Sequence, residues 1–348
     1  MRFREKLELV TLSGTAAACG QAYGRAMGVR IMGLCRQELR PDRRKLAYAR
    51  RCWAHVQDAA PVSAGFMRGM AGATGLSIEH VVLTALQEEI CHLPHCTAFA
   101  ATGSATHAGD TIVALNWDWS PAMYVWAGLL RLAVRGQPAA LTYHYPGLWA
   151  TNGINECGLA VAWTSSGLRP LIRPVVGLPT YVLVAELLRR RSVDRALAYL
   201  GRVRHAGSFN LLIGDAGGAI AVVEAIPGRI AIARGEVLSR ANHFELPEMI
   251  RRSKQDRESW DPSASIYRAR RMAQLTTGRR RRISCSDAKR YLTERDGEWP
   301  WIHLYPAGPR AERLETMTVD SLVAVCQSRV LWTCRGGRTP GPWQRVTV

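Results

Sequence analysis

The chain has 348 residues, 47% of them hydrophobic, which is enough to bury a large core as one domain or two. Its net charge of +18 is almost wholly arginine: Lys6, Lys45, Lys254 and Lys289 are four lysines among 46 basic residues, leaving 42 arginines (46 − 4). The arginines are spread along helices and match no nucleic-acid motif, no stretch is apolar and long enough to cross a bilayer, and the start lacks the apolar run of a signal peptide. The expectation is a soluble, cytoplasmic protein with no nucleic-acid or membrane partner.

Residues 1–95 read as a helical segment, with apolar residues at helical spacing over Gly20 to Leu34 and Leu46 to Val56 and a Ser77-led start over Ser77 to Ile90. From Cys96 the texture changes to short strand runs: Thr111 to Trp117, Leu129 to Val134, Ala140 to Tyr145 and Leu159 to Thr164, separated by Gly, Pro and Asn turns. Helices are expected over Tyr181 to Arg190 and over Val193 to Val203, the second capped by Ser192. A meander follows over Leu211 to Ile213, Ala219 to Ala225 and Arg229 to Ala233. A helix over Ala264 to Leu275 and strands over Asp320 to Val325 and Arg329 to Thr333 complete the pattern. Helices and strands in blocks, without strict βαβ alternation, predict layered α+β packing.

The chemistry concentrates where the texture changes. Cys96 opens a strand, and Asp118 returns near the end of the next one, 22 positions downstream (118 − 96). A cysteine thiol is a strong nucleophile, but at its ordinary pKa of about 8.5 it needs a base. If the chain cuts itself between His95 and Cys96, the freed α-amine, with a reference pKa of about 7.7–8.0, can take the proton from the thiol of its own residue. Asp118 would then hold the ammonium or orient the nucleophile. Strand alternation puts Trp117 and Trp119 on the face opposite to the Asp118 carboxylate. The run Cys91-His92-Leu93-Pro94-His95-Cys96 contains zinc-type donors, but its spacing fits no common zinc module, so no metal is expected. Nine irregularly spaced cysteines, an odd number, read as reduced thiols.

Cys96-Thr97-Ala98-Phe99 followed by Asn116-Trp117-Asp118-Trp119 resembles the start of the mature chain in the isopenicillin N acyltransferase family of autoproteolytic cysteine N-terminal nucleophile hydrolases. It is more distantly similar to bile salt hydrolases and acid-ceramidase-like amidases. Gly14 to Ile31 resembles that family's Gly-rich helical opening, Gly153 to Ala162 its Asn-x-x-Gly turn and following strand, Ala241-Asn242-His243 its Thr-Asn-His element, and Ser265 to Leu275 its Ser/Arg-bearing helix. The resemblance implies a four-layer αββα sandwich with a 1–95 pro-segment and a 96–348 catalytic chain that stay associated after cleavage. It implies Cys96 as nucleophile, Asp118 as the carboxylate and Asn242 as oxyanion donor, with no cofactor. Trp119 and Thr164 are the candidate substrate contacts. No residue of Trp299 to Leu304 is assigned to the family's C-terminal arginine. The implied reaction passes an acyl group from an amide or thioester, on coenzyme A or an acyl carrier protein, through a Cys96 acyl-enzyme to an amine or water, plausibly in secondary metabolism. The alternatives are an N-acyl amide hydrolase and a catalytically degenerate binding protein.

Overall fold

The strand runs after Cys96 close into two sheets packed face to face, with helices on both outer surfaces. The computed structural model describes residues 5–90, 96–166, 175–253, 263–277, 282–295, 301–305 and 316–348. Among these, one sheet has eight strands in the order β1-β4-β5-β6-β7-β8-β9-β10. They are β1 (Leu9–Gly14), β4 (Gly128–Val134), β5 (Ala140–Tyr145), β6 (Leu148–Asn155), β7 (Ala160–Ser165), β8 (Phe209–Gly214), β9 (Ile220–Ile226) and β10 (Arg229–Arg234). The second sheet has the order β11-β2-β3-β12-β13-β14, formed by β11 (Val237–Arg240), β2 (Thr97–Ala101), β3 (Ile112–Trp119), β12 (Met317–Val325), β13 (Val330–Arg335) and β14 (Gln344–Thr347).

Strands β2 and β3 lie against β7 and β8, so the central strands of the two sheets share one buried interlayer. The side chains of Cys96, Ala98, Ala100, Leu115 and Trp117 belong to that interlayer core, while Phe99, Ala101, Ile112 and Ala114 belong to a separate core under the outer helices α9 (Ser263–Thr277) and α10 (Cys285–Leu292). This is the period-2 alternation of a strand buried on both faces. On the other outer surface lie α1 (Ala16–Leu34), α2 (Arg43–Ala59), α3 (Pro61–Thr74), α4 (Ile78–Ala85), α5 (Gln87–Ile90) and α6 (Thr180–Leu187). The layer order is therefore αββα.

The first segment differs from the all-helical expectation. Leu9–Gly14 forms the edge strand β1, paired in parallel with Gly128–Val134 over six residues. Its exposed and buried residues do not alternate regularly, because an edge strand has one neighbour and a partly solvated surface. Helix α3 carries few large apolar residues, and its packing on α1 depends on their absence. A Cβ on Gly69 would overlap the Ala17 carbonyl oxygen, and one on Gly20 would overlap the Phe66 carbonyl oxygen, so the two helices meet backbone to backbone. Ser77, expected as a side-chain cap, directs its hydroxyl to His80 Nδ1 at 2.8 Å.

A bulge in β12 positions the site. The register against β3 pairs Thr318 with Asp118 and Asp320 with Trp117, leaving Val319 as the extra residue. Thr318 thus faces the Asp118 carboxylate, while Asp320 enters the interlayer and accepts from the Tyr143 hydroxyl.

The helix contact gives a paired test. Gly69→Ala should destabilise the fold by about 1–3 kcal/mol through overpacking. Gly72→Ala, where an added Cβ meets nothing within 4 Å, should be neutral or slightly stabilising because alanine favours the helix. Thermal unfolding of both variants decides it, and equal behaviour would contradict the close backbone approach.

Candidate active site

Cys96 sits immediately before β2 and is 3% exposed. Its thiol lies in the interlayer, where the backbone N–H groups of Asp118 and Ser165 favour the thiolate. Burial outweighs them, and with the nearby Asp118 carboxylate it pushes the thiol up to about 12. In the continuous chain burial therefore favours the protonated thiol.

Asp118 projects from the opposite face of its strand. Its Oδ1 accepts from Thr318 Oγ1 at 2.6 Å, and Thr318 Oγ1 in turn accepts from the Leu304 N–H at 2.8 Å. Its Oδ2 has no hydrogen bond among the described residues and lies 3.9 Å from Arg268 Nη1. Burial raises the Asp118 carboxyl to about 8, against the lowering pull of Arg268 and Thr318.

Arg268 connects the parts. It stands on the inward stripe of α9 with Ser265 and Met272 and is 1% exposed. Nη1 donates to the Cys96 carbonyl oxygen at 2.7 Å and to Thr97 Oγ1, and Nη2 donates to Asn242 Oδ1 at 2.7 Å. Because Cys96 O and Asp118 Oδ2 lie 2.7 and 3.9 Å from the same nitrogen, they are at most 6.6 Å apart (2.7 + 3.9). Sequence reasoning assigned Arg268 no role. The available signal was an arginine on the otherwise core-facing stripe Ser265, Arg268, Ala269 and Met272, where a charged side chain needs buried partners.

Asn242 is held on every side. Its N–H donates to Ser265 Oγ at 2.7 Å, and its Nδ2 donates to Ser165 O and Oγ, both at 3.0 Å. Thr164 Oγ1 donates to the Ala241 carbonyl at 2.6 Å, which fixes the turn carrying Asn242 against the end of β7. The Thr164 hydroxyl is thereby committed to the backbone. Trp119 stacks on Trp117 at 5.6 Å between ring centroids, and both lie on the face away from the carboxylate, as alternation requires. Trp117 is fully buried and Trp119 half-buried. His243 Nδ1 is 2.8 Å from Ser265 Oγ, and burial together with Arg240, Arg268 and Arg270 brings its pKa down to about 4. His95 and the rest of 91–95 lie outside the described residues, so the zinc-type run is represented only by Cys96. Among the described residues no group of His, Cys, Asp and Glu side chains could hold a metal ion, and no helix is long and apolar enough to cross a membrane.

The family model described as acyl-coenzyme A:6-aminopenicillanic acid acyl-transferase matches residues 105–332. That span contains Asp118, Asn242 and Arg268 and begins nine residues after Cys96 (105 − 96). Among solved structures, a variant of the conjugated bile acid hydrolase from Clostridium perfringens is similar with a TM-score of 0.50 and 13% identity, covering 72% of this chain and 92% of that one. This likeness places the chain in the fold of the N-terminal nucleophile hydrolases. Penicillin V acylase from Agrobacterium tumefaciens is similar with a TM-score of 0.45 and 14% identity, covering 73% and 86% of the two chains. The Caenorhabditis elegans ortholog of N-acylethanolamine-hydrolyzing acid amidase gives 0.44 and 13%, covering 67% and 93%. No curated protein matches the chain.

Removing Arg268 should cost far more than removing its exposed neighbour. Arg268→Leu leaves the Cys96 carbonyl and Asn242 Oδ1 without their donor and Asp118 without its buried cation, and breaking a buried pair of this kind costs about 3–5 kcal/mol. Arg270→Ala, at an exposed position of the same helix, should stay within about 0.5 kcal/mol of the parent. Denaturant unfolding of the two variants checks this, and similar midpoints would show that Arg268 organises nothing.

Proposed function

The chain belongs to the acyl-coenzyme A:6-aminopenicillanic acid acyl-transferase family, and from that premise we propose that it is a self-cleaving acyltransferase or amidohydrolase with Cys96 as nucleophile. The observation that carries the proposal is the convergence, on one buried guanidinium, of groups from β2, β3 and the turn after β11: Cys96 with Thr97, Asp118, and Asn242.

In the proposed maturation, Cys96 Sγ attacks the His95 carbonyl carbon. The C–N bond then breaks as the nitrogen takes up a proton, leaving a thioester between His95 and Sγ and a free α-amine on Cys96. Water hydrolyses the thioester, which releases the thiol and gives His95 a carboxylate. The new amine changes the electrostatics. As an ammonium it would meet Asp118 Oδ2, the carboxylate oxygen without a hydrogen bond, and draw the carboxyl back toward its ionised form.

In turnover the α-amine would accept the thiol proton, Sγ would attack the acyl carbonyl, and the negative oxygen would take donors from the Ser165 N–H and from Asn242 Nδ2, the latter by giving up one of its present bonds to Ser165. Collapse would expel the leaving group with the proton returned by the ammonium. The acyl group would pass from Sγ to an amine or to water. His243 is a poor base here, since a group near 4 takes little driving force from a thiol. The pro-segment would stay bound after the cut, because β1 is hydrogen-bonded into the same sheet as β4 and α1 and α3 cover that sheet.

Intact mass of the purified protein should show two fragments, the larger beginning at Cys96, while Cys96→Ala should remain one chain. Incubation with an acyl thioester should add one acyl mass to the larger fragment, and addition of an amine should discharge it. A single uncut chain that never acquires the acyl mass would overturn the proposal.

Asn242→Ala should lower turnover by about 10²–10³ with little change in KM, as loss of one oxyanion donor does. The pH profile of kcat/KM should rise through a group near about 7–8, the α-amine range. A rise centred near 4 would instead assign the base to His243.

A further inference from the structure

The turn that carries Asn242 is gripped from the opposite sheet by a row of polar side chains. Thr164 of β7 is in register with Asn210 of β8, and Asn210 with Glu224 of β9, so the three side chains stand side by side on one face of the eight-stranded sheet. All three are fully buried. Glu224 is the sole charged residue of β9, whose other residues are apolar, and a carboxylate in such a strand is tolerable only where donors surround it. Strand β11 of the second sheet packs on β8 and β9, which brings residues 240–246 over the row.

Each member takes a different part of the turn. Thr164 Oγ1 donates to the Ala241 carbonyl at 2.6 Å. Asn210 Nδ2 donates to the same carbonyl at 3.1 Å and reaches the His243 carbonyl at 3.4 Å, so the carbonyls on both sides of Asn242 are drawn to one amide. Glu224 ties the two ends of the turn together. Its Oε1 accepts from Arg240 Nε at 2.7 Å and from the Glu245 N–H at 2.8 Å, and its Oε2 accepts from the Leu246 N–H at 3.0 Å. The row thus holds the chain before and after Asn242 and leaves the Asn242 side chain to Ser165 and Arg268.

We infer that Thr164, Asn210 and Glu224 are positioning residues for the oxyanion donor. By holding residues 240–246 in one conformation they keep the Asn242 amide at the thiol corner before the oxyanion forms, which is the preorganisation that electrostatic catalysis needs. The catalytic consequence rests on the acyl-transfer reading above. The grip on the turn does not.

Hydrogen exchange of uncut Cys96→Ala protein tests the grip without chemistry. Adding Glu224→Gln, which sets an amide where a carboxylate accepts from two backbone N–H groups, should speed exchange over 241–246 by about 10-fold or more while β7 and β8 exchange as in the parent. A uniform rise across the sheet would make Glu224 a general stabiliser and overturn the inference, as would an unchanged turn. In matured enzyme acting on an acyl thioester of N-acetylcysteamine, Glu224→Gln should lower kcat by about 10–100-fold at nearly constant KM, because a displaced donor weakens the transition state more than the bound substrate. Thr164→Val, which keeps the side-chain volume and removes one donor, should lower kcat by about 3–10-fold. In an Asn242→Ala background neither change should lower kcat further, since the group they position is gone. Full additivity in that cycle, or normal kcat in both single variants, would overturn the positioning role and leave the acyl-transfer reading intact. Normal turnover of Asn242→Ala itself would overturn the oxyanion assignment and the catalytic role of the row with it, while exchange still decides whether the row holds the turn.

Discussion

A guanidinium that is 1% exposed has almost no water to solvate it, so its position is tolerable only where protein acceptors surround it. Arg268 finds them on the backbone of Cys96, the hydroxyl of Thr97 and the amide of Asn242, with the Asp118 carboxylate alongside. These groups come from three places in the second sheet that are distant in sequence. Burying the cation therefore fixes the start of β2, the end of β3 and the turn after β11 relative to one another. The same helix supplies Ser265, whose hydroxyl takes the Asn242 N–H, so α9 holds both the backbone and the side chain of that residue.

The electrostatics of the continuous chain suit a precursor. Burial pushes the thiol up to about 12 and raises the carboxyl as well, against the lowering pull of Arg268, which is buried beside them. The proposed cut would add an ionisable amine at the residue whose carbonyl Arg268 already binds. One covalent change would then supply a base for the thiol and a cation for Asp118 Oδ2. Under this proposal, the burial that raises the thiol of the uncut chain later strengthens the hydrogen bonds offered to the oxyanion, because both effects arise from low local polarisability.

Much of the architecture was legible in local patterns. The change of texture at Cys96, the strand runs from Thr111 to Thr164 and the meander after residue 210 correspond to strands, and alternation correctly separated Trp117 and Trp119 from the Asp118 carboxylate. Edge strand β1 was missed because a six-residue, half-solvated run carries no clear period. Helix α3 was missed because its Gly and Ala residues serve a close backbone contact with α1, which hydrophobic periodicity does not register. The bulge at Val319 depends on pairing between strands about 200 residues apart and has no local sign. In the site, Cys96, Asp118 and Asn242 could be named from motifs. Arg268 lay on the helix that the resemblance marked but was given no role, and Thr318 and Ser165 had no sign at all, because their roles come from what faces them: a carbonyl, a carboxylate oxygen and a thiol.

The central claim is that cleavage supplies the Cys96 thiol with its own base, the freed α-amine, and the pH dependence of Cys96 alkylation before and after cleavage measures it most directly. Freshly synthesised uncut chain and matured enzyme are treated with iodoacetamide across pH 6–10, and the Cys96-bearing peptide is quantified by mass. The account predicts little labelling of the uncut chain over this range, as expected for a thiol near 12, and labelling of the matured enzyme that rises through about pH 7–8. Rapid labelling of the uncut chain at neutral pH, or identical profiles for the two forms, would contradict it.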